Sequence, residues 1–116
     1  MALELNWDWA KEILFIKKGK VLHQVMVRDV HYLSSEGNYV TLHTNSGKFA
    51  IKISLKRISG YFPENRFLQI HRSYIVQLSY IEKIDLSSSE LYLNGSVLPI
   101  GRKFKPQLLD QLNLIQ

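Results

Sequence analysis

Three polar residues, His71, Arg72 and Ser73, interrupt an otherwise apolar stretch at residues 67–76, which reads FLQIHRSYIV. The flanking residues alternate as in half-buried strands, so the interruption predicts a turn between two strands. An unpaired arginine is rare in a protein core, whereas a surface that binds an anion makes good use of its guanidinium. This turn is therefore a candidate anion-binding loop. The alternative is that Arg72 forms a surface ion pair.

A second basic stretch follows the last strand-like segment, where residues 98–105 read LPIGRKFK. Arg102, Lys103 and Lys105 directly precede a segment with helical spacing. Cations oppose the dipole at a helix N-terminus, but a phosphate bound to the free N–H groups there would remove the conflict. The alternative is a helix that begins earlier or frays, with the cations in water. Two strand ends that each carry an arginine predict one binding surface.

Asn38 is a third loop residue that could read a base, since it follows Glu36 and Gly37 at the start of a strand. Asparagine pairs with adenine through two hydrogen bonds, and arginine with O6 and N7 of guanine, in the major groove. A turn residue that tolerates left-handed backbone is the alternative role for Asn38. If the three loops bind one ligand, Asn38, Arg72 and Arg102 must project from the same edge of the domain.

The composition is that of one globular domain with a positive charge balance. The 116 residues carry a formal net charge of +5, which favours an anionic partner, although the cations could equally be solvating surface charges. Cysteine is absent, which excludes disulfides and thiolate metal sites. No apolar run reaches the ~18 residues of a membrane span, and residues 1–9 do not resemble a signal peptide. We expect a cytoplasmic domain without a membrane partner.

The sequence has no catalytic or metal-binding signature. Its histidines lack the spacing of a zinc site, its serines lack a Gly-x-Ser-x-Gly setting, and its glycines form no phosphate-binding fingerprint. The histidines are His23, His31, His43 and His71, and structural roles are expected for them. We expect a protein that is not an enzyme and that uses no cofactor or metal.

Short strands between turn signals dominate the chain and predict an antiparallel, mainly β domain. The expected strands are residues 13–16, 21–27, 30–33, 38–44, 48–53, 90–93 and 96–98, together with the two that flank the turn at residues 71–73. Residues 34–37 and 45–47 are expected turns, and Asn94-Gly95 is a strong hairpin signal because both of its residues accept positive φ.

Two segments have helical rather than strand periodicity. In residues 54–62, Leu55, Ile58 and Phe62 form an apolar stripe and Ser54 is a suitable N-cap. In residues 106–115, Leu108, Leu112 and Ile115 are expected to line one apolar side, together with Phe104 just before the segment.

Four segments, in order, resemble the LytTR DNA-binding domain, the output module of many bacterial response regulators. They are residues 30–40 (VHYLSSEGNYV), 54–63, 67–76 and 98–104 (LPIGRKF). The resemblance covers about residues 13–114 and divides the chain into a linker or extension, 1–12, and a DNA-binding domain, 13–116. It implies a mainly β fold, an elongated stack of short antiparallel sheets with one or two short helices and a C-terminal helix, whose loops enter successive major grooves.

The resemblance also assigns roles to loop residues. Asn38, Arg72 and Arg102 are implied to read bases, whereas phosphate-positioning roles carry over more loosely to a second set, His71, Ser73, Lys103 and Lys105. The sequence departs from the family pattern in having Gln77 for Asn, Gly101 for Ser and Phe104 for Tyr. These departures put in doubt a serine contact to phosphate at position 101 and a hydroxyl contact at position 104.

The implied partner is double-stranded DNA with promoter direct repeats, bound by a homodimer, with a receiver or sensor domain outside this chain. One rival reading is a β-rich module for RNA or other single strands, supported by tyrosines that could stack on bases: Tyr32, Tyr39, Tyr74, Tyr80 and Tyr92. Another is a protein-interaction domain without nucleic-acid binding. Trp7 and Trp9, in the extension, could cap the core or be exposed.

Overall fold

The structure, a computed structural model, describes residues 12–116. Residues 1–11 of the expected extension, with Trp7 and Trp9, lie outside the described residues, whereas Glu12 lies within them. The described residues form ten strands: β1 Ile13–Lys18, β2 Val21–Met26, β3 Val30–Glu36, β4 Tyr39–Thr44, β5 Gly47–Ile51, β6 Phe67–His71, β7 Tyr74–Gln77, β8 Ile81–Asp85, β9 Glu90–Leu93 and β10 Ser96–Pro99. They also form two α-helices and three 3-10 turns: α1 Leu55–Ser59, α2 Lys105–Gln111, η1 Val27–Asp29, η2 Leu78–Tyr80 and η3 Arg102–Phe104.

The strands form three antiparallel sheets. β1 and β2 make a hairpin, a central sheet has the order β5-β4-β3-β7-β6, and a third sheet has the order β10-β9-β8. The predicted mainly β class and its stack of short antiparallel sheets are therefore confirmed. Because β6 is an edge strand, its outer side is available to other parts of the chain.

The β6–β7 part of the central sheet is buried on both faces. Successive residues of a strand point to opposite faces, and Phe67 and Leu68 of β6 accordingly enter different cores, as do Ile75 and Val76 of β7. One core joins the sheet to the β1–β2 hairpin and α1, and the other joins it to the third sheet and α2. This layering explains why apolar residues predominate in β6 and β7, with Gln69 as the polar residue inside β6.

The turns follow the sequence signals with one exception. Asn94 and Gly95 both have positive φ, 47° and 84°, as a type I′ hairpin requires. The expected turn at residues 34–37 is wrong, because β3 continues to Glu36. Ser34 has paired neighbours on both sides, in β4 and in β7, so the sheet supplies the backbone partners that local sequence could not indicate.

Helix α1 begins as predicted. The Oγ of Ser54 accepts a hydrogen bond from the N–H of Arg57 at 3.1 Å, which satisfies a free donor of the first turn. Leu55 and Ile58 are buried, and Phe62 packs into the same core after the helix has ended at Ser59.

The C-terminal helix is shorter than predicted. It spans Lys105–Gln111, and Leu112 is extended with φ −88° and ψ 144°. Leu108 is fully buried, but Ile115 is 94% exposed, so the expected apolar side does not continue. A two-turn helix depends on packing for its stability, and its burial is centred on Leu108. Among residues 12–116, no helix is long and apolar enough to cross a membrane.

Candidate nucleic-acid interface

A β-bulge shapes the end of β6. Gln69 pairs with Ile75 and His71 pairs with Tyr74, so Ile70 is an extra residue in β6. A bulge locally disrupts the ladder and bends the strand. The bend lies immediately before the turn that carries Arg72.

The β6–β7 turn and the β3–β4 turn lie beside each other. Ser34 pairs with Tyr74, and the N–H of Ser35 donates to the carbonyl oxygen of Ser73 at 2.9 Å. The end of β3 is therefore fixed to the β6–β7 turn. Asn38 follows two residues after Glu36, in the turn that leads into β4.

Asn38 does not supply the unusual backbone conformation of its turn. Gly37 has a φ of 61°, whereas Asn38 is not among the residues with positive φ. Positive φ at the first central position matches a type II′ hairpin, in which glycine takes that position. The left-handed alternative for Asn38 is thus wrong, and its exposed side chain is not required by the turn geometry.

Two neighbouring amides tie the loop of Arg102 to two different sheets. The N–H of Gly101 donates to the carbonyl oxygen of Ile70 at 2.7 Å, and the N–H of Ile100 donates to that of Ser89 at 2.8 Å. The first bond reaches the end of β6 and the second reaches the β8–β9 loop. Arg102 follows directly, so its backbone is positioned by both sheets.

The three predicted base-reading residues consequently belong to loops at one end of the central sheet. Asn38 and Arg72 are brought there by the β3–β7 pairing, and Arg102 by the bond between Gly101 and Ile70. All three side chains are exposed. The structure thus brings the three loops to one end of the sheet, and a common direction of the three side chains stays a prediction.

The cations of this end are not neutralised by carboxylates of the described chain. Within residues 12–116, an ion pair forms between Arg66 and Glu12. Arg66 lies at the end of β6 opposite to the turn of Arg72. Arg72, Arg102 and Lys103 are exposed. The loops therefore present positive charge to solvent, as binding to a polyanion requires.

The remaining predicted phosphate contacts differ in their surroundings. Lys105 is half-buried, and its Nζ donates to the Oγ of Ser89 at 2.7 Å. The Nδ1 of His71 accepts a hydrogen bond from the N–H of Ser73 at 3.0 Å. Both side chains therefore have partners within the domain, whereas Lys103 is exposed on η3.

Gly101 and Phe104 are in contact at the departures from the family pattern. A Cβ at position 101 would lie 3.0 Å from the Cδ2 of Phe104, and φ at Gly101 is −71°. The constraint at this position is therefore space beside the Phe104 ring rather than backbone conformation. The Phe104 ring thus packs beside the residue whose N–H bonds to Ile70 of β6.

The sequence reasoning missed two residues that support the loops. The Nε2 of Gln69 donates to the carbonyl oxygen of His71 at 3.1 Å, and a polar residue between Leu68 and Ile70 was a usable signal for such a role. Ser89 accepts hydrogen bonds through both its carbonyl and its Oγ, with a φ of 54°. Its residue type gives no signal for that conformation.

Two of the other histidines have structural roles, as expected. The Nε2 of His43 is 2.9 Å from the Oγ of Ser34, and its ring stacks on that of Tyr32 with centroids 3.9 Å apart. His31 lies between Asn45 and Asn94, with which it forms hydrogen bonds of 2.6 and 2.9 Å. No group of three or more metal-ligating side chains occurs in residues 12–116.

Burial lowers the pKa of His43 from 6.5 to about 4, and electrostatic repulsion from Lys48 and His31 adds to this effect. His43 is therefore neutral near pH 7 and can maintain its contact with Ser34, one residue before the bond that joins Ser35 to Ser73. The histidine thereby supports the β3 end of the interface without contributing charge to it.

The chain is similar to curated bacterial regulators. It is 25% identical over 115 residues to the sensory transduction protein LytT of Bacillus subtilis, covering 96% of this chain and 48% of that protein. It is 30% identical over 89 residues to the CO-responsive transcriptional regulator RcoM of Rhodospirillum rubrum, covering 72% of this chain and 38% of that protein. The chain thus spans about half the length, or less, of these relatives.

The fold is similar to that of a solved LytTr DNA-binding domain, from a methyl-accepting/DNA response regulator of Bacillus cereus. The TM-score is 0.76 with 21% sequence identity, over 89% of this chain and 98% of that one. Residues 20–113 match the family described as the LytTr DNA-binding domain, which is a regulatory family rather than an enzyme class. With most of the chain matched, including all three loops, this protein belongs to the LytTr DNA-binding domain family.

Proposed function

We propose that this domain binds double-stranded DNA sequence-specifically, as the output part of a bacterial transcriptional regulator. The supporting observation is the common placement of the loops of Asn38, Arg72 and Arg102 at one end of the central sheet. Their side chains match the bidentate contacts that read adenine and guanine in the major groove. A bacterial promoter lies in the cytoplasm, which is where this role places the protein.

The loops, rather than a helix, enter the groove in this proposal. Helices α1 and α2 contain five and seven residues, and Leu108 of α2 is buried against the domain. The major groove admits a two-stranded ribbon as well as a helix. The ends of the β3–β4 and β6–β7 hairpins have that form and carry two of the three proposed base-reading residues.

Phosphate contacts fix the register of such a complex without reading sequence. Lys103 has the exposed position that a phosphate contact needs, and Ser73 lies in the same turn as Arg72. Lys105 is already bonded to Ser89, so we assign it a supporting role in which its charge attracts DNA while its ammonium group holds the loop.

The arrangement on a promoter follows from helix geometry. Two domains on direct repeats about one helical turn apart, ~10 bp, would face the same side of the duplex, and a homodimer would bind such a site. A receiver or sensor domain in the remainder of a longer protein would supply the signal.

Single-strand binding has less support. A stacking platform needs several exposed aromatic rings along a groove. Tyr39 is 50% exposed, but the ring of Tyr32 stacks on His43 and that of Tyr92 is covered by the Nζ of Lys83 at 4.4 Å. The ring of Tyr80 packs against that of His31, with centroids 4.6 Å apart. These contacts occupy the surfaces on which bases would stack.

Selection from a random duplex library tests the proposal, with competition by single strands and a salt titration of the selected site. We expect an enriched duplex motif, with binding that weakens steeply as salt rises. Preference for single strands would replace the proposal with the single-strand reading. A complete lack of salt-dependent retention would favour a protein-interaction domain.

A further inference from the structure

The turn that carries Arg72 has two residues but lacks the backbone conformation usual for its length. His71 pairs with Tyr74 across the turn. Two-residue hairpin turns normally need positive φ at one or both central positions. In the described part of the chain, the non-glycine residues with positive φ are Ser89 and Asn94, so neither Arg72 nor Ser73 meets that need. Other contacts must hold the turn closed.

Side chains supply those contacts. The Nδ1 of His71 accepts the N–H of Ser73 at 3.0 Å, and the Nε2 of Gln69 donates to the carbonyl oxygen of His71 at 3.1 Å. On the far side of Arg72, the carbonyl oxygen of Ser73 accepts the N–H of Ser35. The backbone is thus fixed immediately before and after the arginine.

The hydrogen bond between His71 and Ser73 determines which imidazole nitrogen is the acceptor and which is the donor. A neutral imidazole has one donor and one acceptor nitrogen. Because Nδ1 accepts from Ser73, the proton of the neutral ring lies on Nε2. The half-buried ring is 5.4 Å from that of Tyr74, centroid to centroid, so it is also held by packing.

We infer that His71 is a positioning residue for Arg72, acting through Nδ1, and not only a contact to phosphate through Nε2. The inference rests on the proposed DNA binding. It names His71 as the residue that positions the base-reading Arg72. A guanidinium makes two parallel hydrogen bonds to guanine only if its backbone is held in register with the base. Loss of the His71–Ser73 hydrogen bond would let the turn relax and move the Arg72 guanidinium out of register with the base.

The two roles of His71 have different signatures. Loss of a phosphate contact weakens binding to all sequences alike and reduces the salt dependence. Loss of positioning weakens discrimination between the target and a duplex changed at the base pair that Arg72 reads. The ratio of these two affinities therefore reports positioning, and the salt slope reports the phosphate contact.

Two substitutions separate the nitrogens. His71→Asn retains an acceptor near the place of Nδ1 and has nothing at Nε2. His71→Gln places an amide donor near Nε2 and lacks the acceptor near the backbone. Both are uncharged and polar, so each is the control for the other, and Gln69→Leu removes the second bond of the turn while leaving the imidazole.

The closing experiment measures duplex binding by fluorescence anisotropy and hydrogen exchange of the Ser73 amide in the DNA-free protein. We expect His71→Asn to retain discrimination within about threefold of the parent and to keep the amide protected. His71→Gln should lose about tenfold in discrimination, equivalent to ~1.4 kcal/mol, with faster amide exchange, and Gln69→Leu should change in the same direction. Equal discrimination in the Asn and Gln variants would overturn the inference.

Failure of the proposed function is distinguishable from failure of this inference. If the parent protein preferred no duplex sequence, the DNA-reading proposal would fail, whereas the exchange of the Ser73 amide would still report on the turn. Unchanged protection of that amide in His71→Gln would overturn the positioning role whatever the DNA result.

Discussion

The backbone N–H of Gly101 and the carbonyl oxygen of Ile70 form a 2.7 Å hydrogen bond between the loop of Arg102 and the strand that leads to Arg72. The bond is available because β6 is an edge strand and Ile70 is the extra residue of its bulge. Two loops separated by some thirty residues of sequence are therefore held together at the backbone. Their arginines are placed relative to each other before any ligand binds.

Removal of this bond should reduce stability. Proline suits the φ of −71° at Gly101 but has no N–H, so Gly101→Pro leaves the carbonyl of Ile70 without its donor, at a cost of about 1–3 kcal/mol. Gly101→Ala is the control, since it crowds Phe104 in the same way and keeps the N–H. Urea unfolding measures both variants. Equal stability of the two would show that the bond contributes little.

Lys103 and Lys105 should differ in their effect on DNA binding. Lys103→Ala removes an exposed charge on η3, so we expect weaker binding to all sequences and a salt slope smaller by about one. Lys105 is held by Ser89, so Lys105→Ala should change the slope less and lower the free energy of unfolding instead. Binding at several salt concentrations, with thermal unfolding, distinguishes them. A larger slope change for Lys105→Ala would reverse the two assignments.

Acidification should destabilise the domain through His43. Its pKa in the folded protein is lowered to about 4, mainly by burial, whereas its pKa in the unfolded chain is the ordinary 6.5. Between these values the unfolded state binds more protons, so stability falls as the pH drops. Solvent screening of the half-buried ring limits the effect to roughly 1 kcal/mol.

The substitution His43→Phe keeps an aromatic ring against Tyr32 but removes the titrating group. We expect the pH dependence of urea unfolding between pH 6.5 and 4 to become shallower in this variant. A slope identical to that of the parent protein would assign the pH dependence to other groups.

Local sequence was sufficient for those elements whose partners lie nearby. The Asn94-Gly95 hairpin and the Ser54 cap depend on the conformations and hydrogen bonds of adjacent residues, and both form as predicted. The extent of β3 and the end of α2 were predicted wrongly because distant contacts decide them. Ser35 is held in the sheet by Ser73, and Ile115 remains exposed beyond the helix.

For the site, residue type and position predicted which loops carry the candidate side chains but not what holds the loops together. The resemblance to a known family supplied the roles proposed for Asn38, Arg72 and Arg102. The bulge at Ile70 and the left-handed backbone at Ser89 depend on tertiary contacts, and hence were not predictable from the sequence alone.

The single reading surface is tested most directly by comparing base preferences on the same selected duplex. The proteins compared are the parent, Arg72→Ala and Arg102→Ala. We expect each variant to lose about 1–3 kcal/mol of discrimination, at two different positions of one site, while retaining its fold by thermal unfolding. An unchanged base preference in either variant would contradict a surface on which both arginines read DNA.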